Sequence, residues 1–117
     1  MLTIRDEQLR ALERAGYEAF LWDLVNRAKR DLPVCTAGKT DASLFETVSW
    51  AAEKAPAYGF IVKESIRRFT NLVLAYGTDY ENTADLAWFV EVLRDRRLIG
   101  IQKLDRIEEL SRRGPGR

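Results

Sequence analysis

A chain of 117 residues, 46% of them apolar, suits one compact domain with room for a buried core. Its 19 Lys and Arg against 18 Asp and Glu leave a net charge of +1, which argues against a strongly charged disordered segment and against a dedicated nucleic-acid binder. There is no histidine and Cys35 is the only cysteine, so Cys/His zinc sites, Ser-His-Asp triads, Cys-His nucleophiles and intramolecular disulfides are excluded.

Thr3 followed by Asp6 reads as an N-cap with an acidic third helical residue, opening a helix over 4–31 with Pro33 just beyond its end. Leu9, Leu12, Tyr17, Phe20, Leu21, Leu24, Val25 and Ala28 recur at spacings of three and four and form its apolar stripe. The stripe rotates at Gly16, which allows a bend or two consecutive helices there. Pro33 to Thr40 reads as a loop. Thr40 or Asp41 caps a second helix with Leu44, Val48, Ala51, Ala52 and Ala55 inward. Pro56, lacking an N–H, distorts its last turn, and Gly59 ends it. A third helix runs from about Val62 to Tyr76 with Ile66, Phe69, Leu72 and Val73 inward, and stops at Gly77. Ala57-Tyr58-Gly59 and Ala75-Tyr76-Gly77 both read as a packed aromatic followed by a left-handed glycine cap.

Thr78 to Thr83 is a polar loop, and Asn82 or Thr83 caps a fourth helix carrying Leu86, Phe89, Val90 and Leu93. After a turn near Gly100, a fifth helix carries Ile101, Leu104, Ile107 and Leu110, and Gly114-Pro115-Gly116 has the composition of a frayed tail. No segment sustains period-two alternation. The expected architecture is all-α: one domain over 1–117, a compact bundle of about five helices with a long first one. No apolar stretch near Met1 reads as a signal peptide, and no run approaches the roughly 18 apolar residues that cross a bilayer. A single thiol suits a reducing compartment, so a cytoplasmic protein without membrane contact is expected.

The candidate chemistry is thin. Ala37-Gly38-Lys39-Thr40 resembles the end of a phosphate-binding loop, but that pattern needs a glycine where Pro33 stands and a preceding strand where a helix is expected. Cys35 has Lys39 and a helix start nearby to lower its pKa, but no histidine to act as base, and reads as a small filler. Asp79 with Glu81, and Glu108 with Glu109, read as solvated partners of Lys and Arg rather than an acid–base pair. No enzyme activity and no cofactor is expected. Charge is unevenly placed: residues 79–93 hold Asp79, Glu81, Asp85 and Glu91 with no Lys or Arg, whereas residues 94–117 hold eight basic and four acidic residues. Pairing within the chain and a two-signed docking face both account for this.

The aromatic residues carry the best functional signal. Trp22 and Trp50 each lie about 160° from their helices' apolar stripes, at 100° per residue, and Trp88 sits on a stripe shoulder. They either make a second contact between the first two long helices or anchor a partner, as exposed Trp residues do in protein interfaces. Phe45 and Phe60 extend such a patch, and Tyr80 joins Trp88 beside the acidic segment. The candidate partner-binding residues are therefore Trp22, Phe45, Trp50, Phe60, Tyr80 and Trp88.

Several segments together, namely Leu2-Thr3-Ile4-Arg5-Asp6-Glu7-Gln8-Leu9, the amphipathic run from Phe20 to Pro33, Ala57-Tyr58-Gly59 with its following helix, and Tyr76-Gly77-Thr78-Asp79-Tyr80, carry a resemblance. Across about 100 residues the chain resembles a family of small, uncharacterised bacterial helical proteins associated with type VI secretion effector and spike gene clusters. It departs from that pattern at Ile61 and Val62, where a Thr or Ser cap is usual, and at Phe45 and Trp50, where polar residues are usual. The resemblance implies no catalytic residues and an accessory role, as adaptor or chaperone for a secretion effector or spike component. An immunity protein neutralising a toxin, and a helix-turn-helix regulator, are the other classes that a small helical chain allows.

Overall fold

The computed structural model describes residues 2–113, with side chains from Glu13 onward. Among these residues the backbone forms six α-helices and no strand: α1 (Leu2–Asp31), α2 (Pro33–Thr36), α3 (Asp41–Lys54), α4 (Lys63–Tyr76), α5 (Ala87–Leu93) and α6 (Gly100–Arg113). The expected all-α bundle is observed, with one helix more than expected. The addition is α2, a single turn inside the expected loop, with Pro33 in the first-turn position where a missing N–H is tolerated. The Thr3–Asp6 cap and the packing of Leu9 and Leu12 fall outside the described side chains, and the tail 114–117 falls outside the described residues.

α1 continues through Gly16 as one helix. Its described side chains divide sharply. Every residue from Glu13 to Ala19 is exposed, including Tyr17, which the sequence pattern placed in the core. Burial starts at Leu21 and continues through Leu24, Val25 and Ala28, which pack on Leu44, Val48 and Ala52 of α3 and on Leu74 of α4. α1 and α3 run antiparallel, and Lys29 reaches Asp41 at 2.8 Å at one end of their seam. Thr40 caps α3 as expected, its hydroxyl accepting from the Ser43 N–H at 3.1 Å.

The second half of the core is aromatic. Tyr58, Phe60, Phe69, Tyr80 and Phe89 are all buried, joined by Val73, Leu93, Leu104 and Ile107. Their rings meet edge-on or tilted, with centroids 5.2 to 6.4 Å apart, the arrangement that aromatic quadrupoles favour. Pro56 converts the end of α3 into the 3₁₀ turn Ala55–Tyr58, and Gly59 closes it at φ +91°, ψ 9°. Gly77 also has positive φ, but its ψ of 160° is extended, so it redirects the chain rather than forming the expected left-handed cap. Gly59 and Gly100 also fix the bundle's closure. A Cβ on Gly100 would lie 2.6 Å from the Gly59 carbonyl oxygen, so the two backbones cross where only glycine fits.

Three further expectations are corrected. The fourth expected helix begins as two 3₁₀ turns, Tyr80–Asn82 and Ala84–Leu86, before α5. Neither Asn82 nor Thr83 caps it; the Thr83 hydroxyl donates to the Asp79 carbonyl instead. In α6 the buried face is Lys103, Leu104 and Ile107, and Ile101, expected inward, is 48% exposed.

Candidate protein-binding face

The six aromatic candidates separate into three groups. Phe60 and Tyr80 are fully buried and belong to the core, not to a surface. Phe60 packs its ring on Phe69 at 5.2 Å, and Tyr80 follows Gly77 into the aromatic cluster because the extended glycine turns the chain inward. Trp50 and Trp88 are half-buried against that same cluster. Trp50 meets Tyr80 edge-on at 6.0 Å with the Lys54 ammonium 5.1 Å from its ring, and Trp88 meets Tyr76 and Phe89.

Trp22 and Phe45 form the third group. Their rings stack across the α1/α3 seam, 4.4 Å apart at 30°, and Trp22 keeps 37% of its surface in solvent. Phe45 is half-buried. Trp50 lies five residues further along α3, about 140° around the helix, so it does not join this pair. The expected surface on the first two long helices therefore reduces to one stacked pair. Tyr17, missed as a surface residue because its spacing fits the stripe, lies five residues before Trp22, about 140° around α1, and so does not join the pair either; it is 41% exposed, and burial, then the Glu53 carboxylate, raise its pKa.

The uneven charge of the sequence is mostly resolved inside the chain. Glu81 receives Lys54 at 2.9 Å and Arg94 at 3.4 Å, which turns one acid of the 79–93 segment into an internal anchor. Arg97 pairs with Asp95, Arg106 and Arg113 with Glu109, Arg112 with Glu108, and Arg68 links α4 to Asp105 and Glu108 of α6. Five cations of the basic segment thus have acidic partners, and Lys103 is buried.

A polar chain runs from the core to Glu81. The Tyr58 hydroxyl lies 2.8 Å from both the Tyr80 hydroxyl and a Glu81 carboxylate oxygen, so Tyr80 donates to Tyr58 and Tyr58 donates to Glu81. Hydrogen bonds from Lys54 and Tyr58 hold Glu81 below the usual carboxylate range. Burial, then the bonds to Tyr80 and Glu81, raise the Tyr58 phenol well above its ordinary value, and burial raises Tyr80. Unfolded phenols ionise near pH 10.0 and these two later, so the unfolded chain releases protons first. Their contribution to stability is complete below pH 10 and is lost as the pH climbs above it. Tyr58→Phe is expected to flatten the alkaline decline of the thermal midpoint; equal slopes in variant and wild type would exclude Tyr58 as its source.

Among the described residues no group of His, Cys, Asp and Glu is placed to hold a metal ion, and no helix is long and apolar enough to cross a membrane. Cys35 is half-buried in α2, and Lys39 and Thr40 lie in the turn that leads to the Thr40 cap. No protein family, curated protein or solved structure matches the chain.

Proposed function

We propose that this chain is a non-enzymatic, protein-binding accessory protein, an adaptor or chaperone-like component serving a bacterial secretion effector. The observation that carries this reading is the stacked Trp22–Phe45 pair on the α1/α3 seam, Trp22 37% exposed, beside the exposed stretch of α1 from Glu13 to Ala19. No residue of this seven-residue stretch is fully buried within the chain, and helices gain most of their stability in proteins from a packed face. A large aromatic pair at the edge of that stretch is the kind of anchor that dominates protein interfaces. The link to secretion comes from the sequence resemblance to the type VI-associated family.

The test is affinity capture with tagged wild type and with Trp22→Ala, followed by mass spectrometry. The expected result is a secretion spike component or effector that is recovered by the wild type and lost with the variant, while the variant's thermal midpoint stays within a few degrees. A single toxin recovered one-to-one would move the reading to an immunity protein. Equal recovery by both proteins would remove the seam as the binding site.

A further inference from the structure

We draw no further inference here: the strongest candidate, the surface patch of exposed Ile61, Val62, Ile99 and Ile101 that flanks the Gly59–Gly100 backbone crossing, is an unpartnered apolar face, and nothing in the structure shows what covers it.

Discussion

Phe69→Ala is expected to lose about 3–5 kcal/mol of stability, a large part of the roughly 5–15 kcal/mol that holds a domain of this size folded. Phe69 sits in the middle of α4, fully buried, with Tyr58, Phe60 and Tyr80 rings 5.5, 5.2 and 6.4 Å away. These neighbours come from two separate segments, the turn around Gly59 and the chain that follows Gly77, so they cannot close over the space without moving those turns. The vacated volume therefore persists as a cavity, and its cost adds to the lost transfer energy. Urea unfolding followed by circular dichroism measures the loss. Trp22→Ala provides the contrast, because that ring is partly in solvent and has one aromatic neighbour. Equal losses in the two variants would contradict the division of the aromatics into core and surface.

That division marks the limit of what residue patterns convey here. The helices α3, α4 and α6 were legible because apolar spacing, the Thr40 cap, Pro56 and the glycines all act within one or two turns of themselves. The fate of an aromatic residue depends instead on where distant segments cross. Phe60 and Tyr80 follow glycines in stretches with no periodicity, so nothing local showed that both turn inward. Trp22 and Trp50 have the same offset from their stripes, yet the bundle gives one a partner on α3, Phe45, and the other a place against Tyr80. Tyr17 fits the stripe of α1, but α3 reaches it only at its final turn, so it stays exposed. Charge was legible as a total and as an uneven distribution along the chain, but not as pairs. Which acids and bases pair depends on contacts between distant segments, such as Arg68 of α4 with Asp105 and Glu108 of α6 and Arg94 with Glu81.

Lys103 shows the same limit in the core, and its replacement carries the second large effect. Its position four residues before Ile107 places it on the buried face of α6, where it is 7% exposed. The ammonium donates to the Leu93 carbonyl at 2.7 Å, at the end of α5, and to the Tyr58 carbonyl at 2.8 Å, at the end of the 3₁₀ turn before Gly59. Helix C-termini leave carbonyls without intrahelical donors, and a cation there is favoured by the helix dipole. One side chain thus ties together α5, α6 and the turn that carries Tyr58. Lys103→Met keeps the length of the stem and removes the donors, leaving two carbonyls short of a partner at about 1–3 kcal/mol each. The relief of not burying a charge offsets part of this, so a net loss of about 2–4 kcal/mol is expected. The pH dependence distinguishes the two terms. Burial lowers the Lys103 pKa, opposed by the attraction of Asp95, so the folded protein gives up this proton before the unfolded chain does. Between the lowered value and 10.5 the unfolded state binds more protons, and stability rises with pH across that window. The rise opposes the decline that Tyr58 and Tyr80 produce above pH 10, and Lys103→Met should abolish it while leaving the tyrosine decline in place. Thermal midpoints measured from pH 7 to 11 in both proteins check this. A variant as stable as the wild type, with the same pH profile, would mean that the two carbonyls are satisfied without Lys103.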